Sequence, residues 1–156
     1  MDRIFRSLTG KSHGEPMSLP VLGREVSVPE AAEHVARFSF HEICGRPLGS
    51  ADYLALAENF HTIFIDDIPV MAQHMRNEAK RFINLIDTLY DQRVKLVASA
   101  QALPTGLYTG TEGREAFEFE RTASRLIEMQ SQSYLALPHG RADSQASGDT
   151  TGLTDT

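Results

Sequence analysis

Two aspartates stand side by side at the end of a short apolar run, in FHTIFIDDIPVM (Phe60 to Met71), and a proline follows almost at once. Carboxylates are costly at the end of a buried strand, because they must stay hydrated or find partners. Apolar residues closed by two acids have the form of a Walker B segment. There, one carboxylate helps to hold Mg²⁺ and its neighbour polarises an attacking water. Asp66 is the candidate metal ligand and Asp67 its companion for the water. The competing reading has the pair hydrating a turn or capping the helix that begins near Arg76. Two other groups favour chemistry. The next apolar run, VKLVASA, ends at Ser99, a hydroxyl where a neighbouring strand of a phosphoryl-transfer enzyme carries its sensor of the γ-phosphate. Arg121 and Arg125 lie one helical turn apart, spaced to meet an anion bound by this subunit or by an adjacent one. Surface ion pairs with Glu118 or Glu128 are the alternative.

A phosphate cradle is hinted at only by TGKS, Thr9 to Ser12. The Walker A pattern places a glycine five residues before Gly10, and that position is Phe5. No apolar strand precedes the stretch and Pro16 soon follows, so Gly10 and Lys11 are expected in a loop and the chain is expected to have no P-loop of its own. The six histidines, His13, His34, His41, His61, His74 and His139, show no metal-ligand spacing with Cys44 or with one another. Cys44 reads as a small buried residue rather than a nucleophile.

The elements that must position these residues follow from periodicity. Residues 1–16 read as a polar N-terminal segment. LPVLGREVSV alternates apolar and polar residues about Gly23, Arg24 and Glu25, which predicts a β-hairpin, and VARFSF offers a third short strand. Ser39 and Glu42 have capping-box spacing, so a brief helix starts there and stops at GRPLG. Ser50 can cap the next helix, whose Tyr53, Leu56, Ala57 and Phe60 share a face. TIFI reads as a buried strand ended by Asp66, Asp67 and Pro69. In RNEAKRFINLIDTLYDQR, Ala79, Phe82, Ile83, Ile86 and Tyr90 line one face of a helix. VKLVAS reads as a second buried strand, residues 103–115 as a loop, and FERTASRLIEMQSQSYL as a final helix. Residues 139–156 are almost free of apolar side chains and read as a disordered tail. Two apolar strands with a helical crossover predict a parallel pair in a βαβ unit. Two central strands and three helices make a thin sheet, as though part of a larger one were absent.

Composition excludes other classes. The 156 residues, 41% apolar and 23% charged, suit one soluble domain, and a net charge of −6 argues against a nucleic-acid partner. A single cysteine fits a reducing compartment, and no apolar run approaches the roughly 20 residues of a membrane span, so a cytoplasmic address is expected.

The stretches RFSFHEICGRPLGSADYLALAENFHTIFIDDIPVM, NEAKRFINLIDTLYDQRVKLVASA and FEFERTASRLIEMQSQSYL resemble the C-terminal part of the ZapE-like, or AFG-type, cell-division ATPases. Mitochondrial members of that family assist protein quality control. The resemblance runs from about Leu8 to His139. It implies an α/β fold that is part of a P-loop, AAA+-type three-layer architecture, with residues 17–138 forming the C-terminal region of that domain. It also implies that a Walker A loop and a first acidic Walker B segment lie upstream. Asp66 and Asp67 would then be a second, partly structural pair, and this chain alone would not hydrolyse ATP. Catalytic roles for Asp66, Asp67, Ser99 and Arg121, with Arg125 as a nucleotide contact, are what the complete protein with ATP and Mg²⁺ would use. The implied partners are proteins, either division-ring components at the inner membrane, an N-terminal ATPase half, or further subunits of an oligomer. A non-catalytic protein-interaction module is the alternative.

Overall fold

The computed structural model describes residues 1–140, so the tail expectation for residues 141–156 lies outside the described residues. The alternating stretch folds as the expected hairpin, β1 (Glu15–Val21) against β2 (Arg24–Ala32). Leu22 and Gly23 join them with φ of +50° and +82°, a turn whose twist matches the flanking strands and which favours glycine at its second position. A second tight turn at Glu33 and His34 leads to β3 (Val35–Ser39), antiparallel to β2.

After β3 the chain crosses over through α2 (Phe40–Cys44) and α3 (Ser50–Asn59) and returns as β4 (Thr62–Ile68), parallel to β3. A second crossover through α4 (Arg76–Asp91) adds β5 (Lys95–Ala100), also parallel. The result is one five-stranded mixed sheet in the order β1-β2-β3-β4-β5. It carries the N-terminal hairpin, parallel strands and flanking helices of an α/β, P-loop-type fold. Three strands are parallel where the sequence predicts two. The strand propensity of VARFS is legible, but its direction relative to β4 is set by the helical crossover.

β4 is buried on both faces. Ile63 and Ile65 point, with Ala36 and Phe38, into a core filled by Tyr53 and Leu56 of α3 and by Phe82 and Ile86 of α4. α5 (Arg114–Glu128) adds Phe119 and Leu126 to this core, and α6 (Gln132–Leu135) adds Tyr134. Phe64 points the other way, with Val35, and is covered by Phe5 of α1 (Asp2–Thr9). The two rings meet edge to face with centroids 5.4 Å apart.

Several expectations are corrected. The polar residues 1–16 hold a helix and the start of β1, which periodicity did not show. α1 has a single fully buried apolar residue, Phe5, too few to show a period, and the sheet makes it a helix with a docked face. The cap of α3 is Gly49, whose N–H donates to the Asp52 carboxylate at 2.7 Å, while Ser50 begins the helix. β5 is a half-exposed edge strand rather than a buried one, because no described strand lies beyond it. The last helix is two, divided at Ser131, whose Oγ accepts from the Tyr134 N–H and caps α6. His139 and Gly140 dock, through His139 Nε2 with the Ala57 carbonyl at 2.7 Å and the Gly140 N–H with the Gln92 carbonyl at 2.8 Å.

Because one ring secures α1, Phe5→Ala is expected to cost about 3 kcal/mol in a denaturant melt and to open α1 to hydrogen exchange. A loss below about 0.5 kcal/mol would show that α1 does not dock through Phe5.

Candidate functional site

Asp66 and Asp67 lie on β4 itself, which continues through them to Ile68. The pairing with β5 slips between Ile65 and Ile68, a bulge that places Asp67 at φ +62°, a left-handed conformation that Asp adopts more readily than most residues. The two carboxylates therefore face different surroundings. Asp66 accepts two bonds from Arg37, Nε to Oδ2 at 2.7 Å and Nη2 to Oδ1 at 3.1 Å. Arg37 reaches on to Asp2 of α1, Nη1 to Oδ1 at 2.8 Å, and lies over the rings of Phe5 and Phe64 at 5.8 and 5.9 Å. The hydrogen bonds that Arg37 donates to Asp66, and then to Asp2, hold the guanidinium pKa above its ordinary value, against the opposing effect of burial. Asp66 thus ties α1 to the sheet, and Asp67 stands exposed at the carboxyl end of the strands.

Ser99 is where the sequence puts it, beside Asp67. Its Oγ accepts from the Asp67 N–H at 2.8 Å and secures the bulge. Arg121 and Arg125 do not join this rim. Both pair with Asp87 of α4, Arg121 through Nη2 to Oδ2 at 3.2 Å and Arg125 through Nη1, and Arg125 also covers the Tyr90 ring at 4.9 Å. α4 and α5 run side by side in the same direction, with Arg76 against Glu115 at their starts and Tyr90 against Glu128 at their ends. Arg121 is therefore about 10 Å down α5 from the carboxyl edge, at 1.5 Å per residue. The expected meeting of acid, hydroxyl and guanidinium is realised for the first two only.

TGKS closes α1 instead of opening a helix. Gly10, at φ +76°, is its left-handed C-cap, and the Thr9 hydroxyl donates to the Phe5 carbonyl at 2.8 Å. A phosphate is attracted to a helix N-terminus, and these residues occupy the opposite, negative end. Magnesium fares no better here. It needs oxygen ligands free to bind it, whereas both oxygens of Asp66 are engaged by Arg37. Among the described residues no group of three or more His, Cys, Asp or Glu side chains could hold a metal ion. The donors of this chain do not make a magnesium site by themselves.

Sequence spacing gave no sign of a histidine cluster at the other end of the strands. His34 and His61 lie with ring centroids 6.4 Å apart, and His61 Nδ1 is 2.9 Å from the Thr62 hydroxyl. Burial first, and then the neighbouring His139 and His34, push the pKa of His61 below its ordinary value.

The parallel strands, the acid and hydroxyl at their carboxyl ends, and the helices on both faces define an α/β protein of P-loop type. The chain belongs to the AFG1-like ATPase family, whose family model matches residues 1–138. It is 37% identical over 139 residues to the cell division protein ZapE of Escherichia coli K12, a match covering 89% of this chain and 36% of ZapE. It is also 37% identical over 166 residues to lactation elevated protein 1 homolog B of Danio rerio, covering 86% of this chain and 33% of that protein. The chain thus spans about a third of the length of the curated relatives it matches. No solved structure gives a significant match. Among the described residues no helix is long and apolar enough to cross a membrane.

Asp66→Asn, which leaves Arg37 short of charge in a half-buried place, is expected to destabilise by about 3 kcal/mol in a denaturant melt. Asp67→Asn, exposed and tolerant of its backbone conformation, is expected to change stability by less than about 0.5 kcal/mol. Equal effects would refute the division of labour between them. For His61, the unfolded state takes up a proton more readily than the folded one. Stability is therefore full above the ordinary histidine pKa and declines as pH falls from there through the lower folded pKa. His61→Gln is expected to flatten that part of the stability–pH curve, and an unchanged curve would show that His61 does not cause it.

Proposed function

We propose that this chain is the C-terminal body of an AFG1-like ATPase, whose nucleotide site is completed by chain outside the 156 residues. The observation that carries this reading is a family match over residues 1–138 that nevertheless covers only 36% of ZapE. ATP and its magnesium then sit largely on the other portion. Asp67 and Ser99 are the groups that this chain presents toward that site from the carboxyl edge of the sheet, Asp66 is its structural anchor, and Arg121 and Arg125 clamp α5 to α4. In the complete protein, ATP hydrolysis drives remodelling of protein partners. The name of its relative, cell division protein ZapE, favours a role in cell division, and the location that goes with this reading is the cytoplasm or the periphery of the inner membrane.

A second reading, a non-catalytic module that binds a partner protein, is favoured by exposed Leu103 and Phe117, at 79% and 76%. The two readings part in one experiment. The chain alone is expected to release no phosphate and to give no heat on titration with Mg·ATP. ZapE in which residues 1–138 of this chain, the span of the family match, replace the corresponding segment is expected to hydrolyse ATP within about tenfold of ZapE itself. A folded chimera without turnover would overturn the ATPase reading and favour the module.

A further inference from the structure

The two edges of the sheet are finished differently. β1, the outer strand on one side, carries Pro16 and Pro20, which lack an N–H and so blunt that edge against further pairing. β5, on the other side, carries Leu96, Val97, Ala98, Ser99 and Ala100 with no proline and no charge after Lys95. Its pairing with β4 uses the odd-numbered amides at both ends, Lys95 N–H donating to the His61 carbonyl and Gln101 N–H to the Ile68 carbonyl, each at 2.9 Å. The alternation of a parallel ladder then turns the amides of Leu96, Ala98 and Ala100 outward.

This edge lies in a slot. A cavity of about 420 Å³ runs along β5, walled by Ile4 of α1 on one face of the sheet and by Leu126 of α5 and Met129, its C-cap, on the other. Leu103 and Pro104, from the loop after β5, close its end. Leu96 opens to the α5 side and Val97 to the α1 side, so anything seated beyond β5 is covered on both faces, as β4 is. Ile4 is 44% exposed and Leu103 79%, a concentration of apolar surface beside an unpaired ladder.

We propose that this slot receives an apolar β-strand from the portion of the ATPase that this chain does not span, extending the sheet beyond β5. The inference rests on the reading of this chain as one part of a longer ATPase, and the 36% coverage of ZapE supplies the missing chain. An occupant covered on both faces must be apolar on both, which is the pattern of an interior parallel strand rather than of a half-buried surface strand. The uncharged lining selects against a strand bearing unpaired carboxylates or ammonium groups.

Hydrogen exchange of peptides spanning residues 95–101 tests this in the chain alone and in the ZapE chimera. In the chain alone the amides of Leu96, Ala98 and Ala100 are expected to exchange freely. In the chimera they are expected to slow by about 100-fold or more. Leu103→Glu in the chimera is expected to restore fast exchange, and Phe117→Glu, on exposed α5 surface outside the slot, to leave protection intact. Outer amides that stay open in a chimera that hydrolyses ATP would overturn the strand and leave the family reading standing. Protected amides in a folded but inactive chimera would support the strand and sink the ATPase reading. Protection in the chain alone that rises with its concentration would assign the slot to a second copy and overturn the proposal.

Discussion

A parallel strand at the centre of a sheet has no face that it can leave in water, and β4 imposes that condition on the rest of the molecule. Ile63 and Ile65 must be covered on one side and Phe64 on the other. Helices α3, α4 and α5 satisfy the first requirement through a broad apolar core. The second is met by one short helix, and it would be weak if Phe5 acted alone. Arg37 reinforces it, lying against both Phe5 and Phe64 and bridging Asp2 to Asp66, so that packing and ion pairing converge on one contact. The Arg37–Asp66 pair within the sheet is shielded, with side chains 14% and 22% exposed, whereas Asp2 is 88% exposed, so the bond that reaches α1 weakens with salt.

The same contact explains why adjacent, chemically identical aspartates differ. Strand geometry sends neighbouring side chains to opposite faces, and the bulge after Ile65 removes Asp67 from the ladder altogether. Asp66 is consumed by structure. Asp67, with its backbone N–H on Ser99 and its carboxylate in solvent, is left available at the edge where α/β proteins gather their functional groups. The arginines illustrate the converse. They have the right chemistry for an anion but are held by Asp87, two to three turns down the helices, and their role in this chain is to lock α4 and α5 side by side.

Edges complete the argument. A sheet that blunts one rim with prolines and leaves the other bare and walled by apolar helices is asymmetric in a way that stability of this chain alone does not require. The asymmetry is in keeping with the share of the relatives' length that the chain occupies.

Local pattern determined much of this protein. The hairpin about Gly23, the capping box of Ser39 and Glu42, the apolar face of α4 and the strands around TIFI and VKLVAS all follow from spacing and turn chemistry, because each depends on residues close in the chain. What spacing cannot carry is direction and company. That β3 runs parallel to β4, that Phe5 makes residues 2–9 a docked helix, that Arg37 claims Asp66 while Asp87 claims Arg121 and Arg125, and that His34 and His61 meet, are decided by residues 27 or more positions apart. Contacts of that kind depend on where crossovers set whole elements down, and only the assembled sheet fixes that.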